Sequence, residues 1–252
     1  MRSLRTIVVA GVLSSLALAA TACGPGNDDK STTTTTTAPT AATAAPTSVG
    51  TGTAAPAGKA LTQDQLVKAL LTPKDLDADD KRSTTGPAAG AKHKRTADKP
   101  ACQPLLDLVD TADAATPPPA SALGFYQGSN GREYTAIQLS QFAAGQAAKA
   151  MASAESALGS CSAFNATSPG QPTVKISFSK ATYQAVGDAT LAFNEKVSAD
   201  NCDNAPCESL GYVAVRTGDV VTVIGDSALA DPGQPEQATV KKQLDKLRAA
   251  AK

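Results

Sequence analysis

The sequence has few of the residues that most often carry enzyme chemistry and metal sites. Its 252 residues include no tryptophan, five phenylalanines, four tyrosines and one histidine, His93. Nucleophilic catalysis by Ser–His or Cys–His pairs needs a well-held imidazole, and His93 lies in the basic run KHKR, which we interpret as a solvated loop. There is no G-x-S-x-G elbow and no C-x-x-C pair of the kind that binds zinc. We therefore expect no catalytic histidine, no metal and no cofactor.

The sequence also lacks an excess of charge of either sign. It carries 23 basic and 23 acidic side chains, so no overall positive field is available to attract nucleic acid. We expect no nucleic-acid partner. Paired carboxylates are the remaining catalytic alternative, because Asp188, Glu195, Asp219 and Asp226 lie near predicted strand ends, although acidic residues at turns are commonly solvated.

The N-terminus has the order of an export signal. Arg2 and Arg5 precede a mostly apolar run at residues 7–20, which is shorter than the roughly 20 residues of a membrane-spanning helix. Cys23 then follows Ala20-Thr21-Ala22, and the sequence predicts a signal peptide over residues 1–22. Ordinary signal peptidase could cut after Ala22, and so could the lipoprotein peptidase, because the site resembles a bacterial lipobox with Ala20 where Leu is usual.

The segment after Cys23 favours lipidation over plain secretion. Residues 27–58 are almost all Thr, Ala, Pro, Ser and Gly, including six consecutive threonines. Such a segment has too little apolar surface to offset its ordering entropy, so it is predicted to be disordered. As a flexible coil it would span roughly 30 Å. We predict that residues 23–58 form a tether with an acylated, palmitate-bearing Cys23 that holds the protein on the extracytoplasmic face of the cell membrane.

The other cysteines form an even set. They are Cys102, Cys161, Cys202 and Cys207, and an even number of cysteines in an exported domain predicts disulfides. The segment CDNAPC favours a turn, so Cys202 and Cys207 can meet locally, which leaves Cys102 for Cys161. The two other pairings stay open.

The sequence pattern predicts one α+β domain at residues 59–252. Helices are predicted at 61–71, where Thr62 and Gln65 form a capping box, at 102–112, at 144–158 and after Pro235. Alternating apolar residues and turn signals predict strands, with mostly loop at 77–99. The predicted strands are 125–129, 133–142, 174–179, 190–197, 212–216 and 220–225. Hairpins with intervening helices predict an antiparallel sheet covered by helices.

The order of these parts resembles a known family. The tether is followed by LTQDQLVKALLTPKDL, ACQPLLDLV, an alanine-rich helix ending in LGSCSAF, VGDATLAF, and the hairpin YVAVRTGDVVTVIG. This order is similar to the actinobacterial PknH-like extracellular sensor domain, in its stand-alone lipoprotein form. The resemblance implies an α+β domain at residues 59–252 with two disulfides, from the four cysteines above, and a cleft beside the sheet for a small ligand.

The sequence predicts a non-catalytic sensor or ligand-binding domain that takes a small molecule or an envelope component. Candidate ligand-binding residues are Arg132, Glu133, Asp188 and Arg216, although each also fits ordinary hairpin-edge polarity. Tyr126, Tyr134, Tyr183 and Tyr212 are candidates to line an amphipathic pocket. The alternatives are a carboxylate-dependent envelope hydrolase and a docking partner for another envelope protein.

Overall fold

The computed structural model describes residues 59–76, 78–79, 82–88, 90, 94–128, 133–199, 208–227 and 233–252. The predicted leader, the tether, Arg132, and the pair Cys202 and Cys207 lie outside the described residues. Four α-helices are described: α1 (Gln63–Ala69), α2 (Gln103–Val109), α3 (Gln146–Ser160) and α4 (Gln237–Ala250). Short 3-10 turns at Pro73–Leu76, Pro100–Cys102 and Thr111–Asp113 flank the first two helices.

The described strands form one antiparallel sheet in the order β1-β3-β4-β9-β8-β7-β6-β5-β2. The longer strands are β3 (Ala120–Gln127), β4 (Tyr134–Gln141), β6 (Val174–Lys180), β7 (Ala189–Ser198), β8 (Glu208–Thr217) and β9 (Val220–Ser227). The shorter strands are β1 (Thr84–Pro87), β2 (Thr96–Ala97) and β5 (Ala163–Thr167). The predicted α+β class, an antiparallel sheet covered by helices, is confirmed.

Alternation along the strands divides the core between the two faces of the sheet. Phe193 and Ala214 pack with α2 and α3 on one face, and their neighbours Ala192 and Val213 pack with α1 on the other. Because side chains of a strand point alternately to opposite faces, a fully paired strand can supply both cores. We call the two helical covers the α2–α3 layer and the α1–α4 layer.

Hydrogen bonds join α1 to α4 and join the residue before α1 to strand β4. The predicted capping box is confirmed, since the Thr62 hydroxyl accepts from the Gln65 backbone while the Gln65 side chain accepts from the Thr62 backbone. Leu61 donates its backbone N–H to Gln141 at 2.9 Å. Gln243 of α4 is fully buried, donates to the Ala69 carbonyl and accepts from the Leu71 N–H. These bonds satisfy backbone groups at the end of α1 that the helix itself cannot pair.

The prediction of mostly loop over residues 77–99 was wrong in part. Strand β1 pairs with β3 at one edge of the sheet, and the two-residue β2 pairs with β5 at the other. An edge strand pairs on one side only and gains from backbone hydrogen bonds whatever its side chains are. The polar residues of β1 and β2 therefore form strands without the alternating pattern that sequence reasoning requires. Strand β5 was also missed, because it has only five residues.

Candidate functional site

A groove of about 580 Å³ lies between α2, residues 114–119 and the first half of α3. Its apolar lining includes Pro104, Leu108, Phe142, Ala150 and the three prolines at 117–119. Its polar lining residues are Asp107, Thr111, Thr116, Gln146, Lys149 and Ser153. Ligand sites of small molecules commonly have volumes of about 300–1,000 Å³ and a mainly apolar lining with a few polar groups. The groove has this size and this chemistry.

Local sequence shapes two walls of the groove. The run Pro117-Pro118-Pro119 fixes three φ angles. Gly145 begins α3 with φ of 73°, a conformation that favours glycine. Its N–H donates to Asp219 at 2.9 Å, which ties the start of α3 to the β8–β9 turn. The groove is therefore bounded by stiff backbone on one wall and by an anchored helix on another.

An ion cluster with one buried carboxylate holds the C-terminal end of α2 against the sheet. Arg95 donates from Nη1 to Glu195 Oε1 at 2.5 Å and from Nε to Asp110 Oδ2 at 2.7 Å. Asp110 follows the last residue of α2, whereas Glu195 lies within β7 and its side chain is 1% exposed. A single guanidinium thus bridges the helix and the sheet, with the planar fork geometry that suits arginine.

The charges of this cluster depend on one another. Burial raises the pKa of Glu195 above its ordinary value, and the ion pair with Arg95 opposes that rise. Burial acts to lower the pKa of Arg95, but the carboxylates of Glu195 and Asp110 raise it. Burial also raises the pKa of Tyr212, which stacks on Phe193 with ring centroids 5.3 Å apart. Without Arg95 beside it, burial would raise the pKa of Glu195 further.

A second polar network surrounds Thr111, which follows α2 and lines the groove. The Thr111 hydroxyl, 1% exposed as a residue, is hydrogen-bonded to the hydroxyl of Ser140 and accepts from the Gln138 amide. Ser121 lies 3.3 Å from Ser140 and extends the network to β3. Buried polar groups that are satisfied in this way rigidify their surroundings. The wall formed by α2 is therefore held in place before any ligand arrives.

The other end of α2 is held by a disulfide. Cys102, directly before α2, is bonded to Cys161, directly after α3, across 59 positions of sequence. The predicted Cys102–Cys161 pairing is confirmed. The two helices that border the groove are thus joined covalently at the end opposite the ion cluster.

Three of the predicted ligand-binding residues are described, and all three lie outside the groove: Asp188 and Arg216 meet each other, and Glu133 lies apart from them. Asp188 accepts from Arg216 at 3.3 Å and from the Gly218 N–H at 2.7 Å, at the β8–β9 turn. Glu133 lies at the opposite end of the strands, just before β4. Strand β9 measures the separation: Val221 pairs with Arg216, and Asp226 pairs with Thr135 near Glu133. These two positions of β9 are five residues apart, which corresponds to about 17 Å. The contacts of Asp188 and Arg216 stabilise a hairpin.

Glu133 lines a smaller cavity of about 300 Å³. Asp226, Thr135, Tyr126 and Tyr134 line the same cavity. Burial raises the pKa of Asp226, and a hydrogen bond with Thr135 opposes the rise. Two carboxylates therefore share one concave site, at the end of the sheet where the Tyr134 hydroxyl donates to Glu208.

Sequence reasoning missed Arg95 and Asp110. Arg95 was assigned to a solvated basic loop, but its side chain is only 20% exposed and carries two ion pairs. The signal that could have located the cluster is in β7: Leu191, Phe193 and Glu195 alternate, so Glu195 faces the same core as the two apolar residues. A carboxylate on a core face needs a cation, and the basic run was available to supply it.

Two features are absent from the residues that the structure describes. No group of three or more His, Cys, Asp or Glu side chains is placed there to hold a metal ion. No helix in the same ranges combines the length and apolar character needed to cross a membrane.

The fold is similar to that of one solved mycobacterial domain, and a second mycobacterial structure matches at a lower score. The extracellular domain of PknH from Mycobacterium tuberculosis is 13% identical with a TM-score of 0.53, and the match covers 77% of this chain and 98% of that one. An uncharacterized protein from Mycobacterium smegmatis, an Rv0999 ortholog, is 10% identical with a TM-score of 0.34, over 73% of this chain and 94% of that one. No family model and no curated protein matches this chain. The PknH structure confirms the fold that the resemblance predicted.

Proposed function

We propose that this protein is an extracytoplasmic, membrane-tethered ligand-binding domain without catalytic activity. In this proposal the groove beside α2 holds a small amphipathic molecule or part of an envelope component. The observation that carries the proposal is the groove itself, about 580 Å³ with a mainly apolar lining. The fold likeness to a domain described as extracellular agrees with it.

The polar residues of the groove indicate what such a ligand would present. Lys149 on α3 and Asp107 on α2 carry opposite charges on two of its walls. The prolines and Phe142 supply apolar contact area between them. A ligand with an apolar body and polar or charged ends would satisfy both kinds of lining, whereas a purely ionic one would leave the apolar wall unused.

The fastening of α2 supports binding without a large rearrangement. The disulfide holds one end of the helix, and the Arg95 cluster and the Thr111 network hold the other. A site that is already ordered loses less conformational entropy when a ligand binds. The same fastening would transmit a shift of α2 to the sheet through Asp110 and Glu195.

The tether is the second part of the proposal, and Cys23 is its test. Intact mass of the protein purified from the membrane fraction should show a chain that begins at Cys23 and carries acyl groups. A Cys23→Ala variant should be released from the membrane. A Cys23→Ala protein that stays membrane-bound would contradict lipid anchoring.

Binding is tested by thermal unfolding of the oxidised protein against a panel of envelope glycans, lipids and small metabolites. A ligand at 100 times its dissociation constant stabilises the folded state by about 2.7 kcal/mol, which shifts the midpoint by several degrees. We expect a small set of related compounds to stabilise the protein and none to be consumed. A panel without any stabilising compound, together with turnover of one of them, would overturn the proposal.

The smaller cavity favours one alternative, a carboxylate-dependent hydrolase of envelope polymers. Glu133 and Asp226 line it together, and the raised pKa of Asp226 is what a general acid requires. Turnover of an envelope polymer that Asp226→Asn abolishes would establish this alternative. If Asp226→Asn changes neither turnover nor binding, the hydrolase is wrong and the groove remains the candidate.

A further inference from the structure

The outer surface of the α1–α4 layer is strongly basic. Lys68 on α1, Lys74 in the following turn, and four residues in or after α4 all have exposed side chains. The four are Lys241, Lys242, Arg248 and Lys252. We call these six residues the basic face. The carboxylates on or next to the same elements are fewer, namely Asp64, Asp75, Glu236 and Asp245. Asp75 pairs with Lys242, and Asp245 pairs with Lys241 and Arg248, which leaves an excess of positive charge on this surface.

The basic face is one continuous surface. α1 and α4 contact each other along their length: Gln65 donates to the Ala250 carbonyl, and Lys246 donates to the carbonyl of Leu70. Lys242 reaches Asp75 beyond the end of α1, with 2.9 Å between Nζ and Oδ1. Basic side chains of both helices are therefore brought to the same side of the sheet by packing that the fold requires.

The opposite layer does not share this charge. On α2, α3 and the turn between Thr111 and Asp113, Lys149 is the single basic residue, against Asp107, Asp113 and Glu155. The helices of the two layers therefore differ in charge, with an excess of basic side chains on α1 and α4 and an excess of acidic ones on α2 and α3. Such an asymmetry orients a molecule in the field of a charged surface.

The chain enters the domain at the basic layer. Residues 59–62 lead directly into α1, and the Leu61 N–H is bonded to Gln141. Any membrane-held segment that precedes residue 59 is therefore continuous with this layer. Tethering raises the effective concentration of a surface near its target to the millimolar range for short flexible linkers, so even weak attraction to the membrane would then be effective.

We propose that the basic face docks the domain on an anionic membrane surface by binding the phosphate groups of lipid headgroups. This inference rests on the proposed tether for its setting, but its chemistry belongs to the six residues. The contact is electrostatic, because the one exposed large hydrophobic residue in the described ranges, Leu123, lies on β3 outside the basic face. Each basic side chain at such a surface strengthens binding about five-fold at low salt, and added salt screens the effect.

Docking in this orientation would turn the groove away from the membrane. The groove lies in the α2–α3 layer, on the other side of the sheet from the basic face. A ligand arriving from outside the membrane would then meet an open site. The two layers would thus divide the work between membrane contact and ligand contact.

The test is vesicle binding by the full chain carrying Cys23→Ala, which removes the site of acylation. Vesicles of phosphatidylcholine alone are compared with vesicles containing about one-third phosphatidylglycerol. The test variant is Lys68→Glu/Lys241→Glu. Its matched control is Lys99→Glu/Lys180→Glu, which reverses two exposed charges beside the α2–α3 layer and outside the groove, where Lys99 precedes the turn into α2 and Lys180 lies near Glu155. Circular dichroism establishes that both variants are folded.

We expect binding to anionic vesicles at low salt that the test variant weakens at least about ten-fold and the control leaves within about two-fold. Salt should abolish the difference. Equal binding by the two variants, or no preference for phosphatidylglycerol, overturns the proposal. Binding to a soluble polyphosphate but not to the vesicles also overturns it, in favour of a polyanionic partner. None of these results bears on the groove, because the ligand panel is read without membranes.

Discussion

The α2–α3 layer and the α1–α4 layer cover the same sheet but are fastened to it by different means. The first has a disulfide at one end and a buried charge cluster at the other. The second is held by apolar packing and by Gln243, which bonds the exposed backbone at the end of α1. Covalent and ionic fastening accompanies the layer with the large groove. Apolar packing and hydrogen bonds suffice for the layer that carries the basic face.

Removing the disulfide of the α2–α3 layer should have the largest effect on the free energy of unfolding. The chain-entropy model gives about 4 kcal/mol for a bridge that closes a loop of this length. Cys102→Ala/Cys161→Ala should lower the free energy of unfolding by about that amount, as measured by urea denaturation. The control is the same comparison in reductant, where the variant and the wild-type protein both lack disulfides and should unfold together. An unchanged midpoint would contradict the view that α2 and α3 depend on this bond.

Breaking the ion cluster should be the next largest effect. Arg95→Met leaves Glu195 buried without its cation, which destabilises by about 3 kcal/mol near neutral pH. Because burial raises the pKa of Glu195, its contribution to stability is greatest below the ordinary carboxyl pKa and declines as pH rises. The deficit of Arg95→Met should therefore grow with pH. Urea denaturation across pH measures it.

The paired control is Arg95→Met/Glu195→Leu, which removes both charges from the same site. It should recover much of the lost stability, because no buried charge is then left uncompensated. If the double variant is as unstable as Arg95→Met at every pH, the loss comes from packing rather than from charge.

In the α1–α4 layer, the corresponding test is Gln243→Ala. It leaves the Leu71 N–H and the Ala69 carbonyl without partners in a buried place, for a loss of about 2 kcal/mol. Gln237→Ala, exposed at the start of the same helix, is the control and should change little. Equal effects of the two substitutions in urea denaturation would show that Gln243 does not fasten the layer.

The smallest expected effect is a difference in pH dependence between the layers. The N–H of Thr72 and then the ammonium of Lys242 lower the pKa of Asp75. Its contribution is therefore present above the ordinary carboxyl pKa and is lost as pH falls, which is opposite in sign to that of Glu195. Asp75→Asn should flatten the acid limb of the stability profile, with Asp64→Asn as the control for one lost charge. A profile unchanged by Asp75→Asn would remove this contrast.

How much of this was predictable from sequence differs between local and long-range features. The capping box, the hairpins and the alternation in β6 were predictable because each depends on residues close in sequence. Strands β1 and β2 were not, since they form by pairing with β3 and β5 rather than by their own pattern. The sheet order, which places β2 beside β5, follows from long-range packing.

The candidate site shows the same division. The polar hairpin residues Asp188 and Arg216 drew attention as possible ligand contacts, but they bond each other and the turn. The groove is bordered by helices and by the proline run at 117–119, and no sequence motif marks these segments as a binding site. Arg95 joins residues 15 and 100 positions away. No local pattern can specify contacts over such distances in sequence. The position of Glu195 on a core face of β7 did indicate that a cation must lie beside it.

Ligand binding in the groove beside α2 is tested most directly by comparing the ligand affinities of two tryptophan variants. Ser153→Trp fills the groove from an exposed position on α3, whereas Ser156→Trp places the same side chain one turn further along, outside it. The measured quantity is the dissociation constant of the panel compound that stabilises the wild-type protein most. If the groove binds the ligand, Ser153→Trp should bind at least about ten-fold more weakly, equivalent to about 1.4 kcal/mol. Ser156→Trp should bind as the wild-type protein does. Wild-type affinity in both variants would contradict binding in the groove.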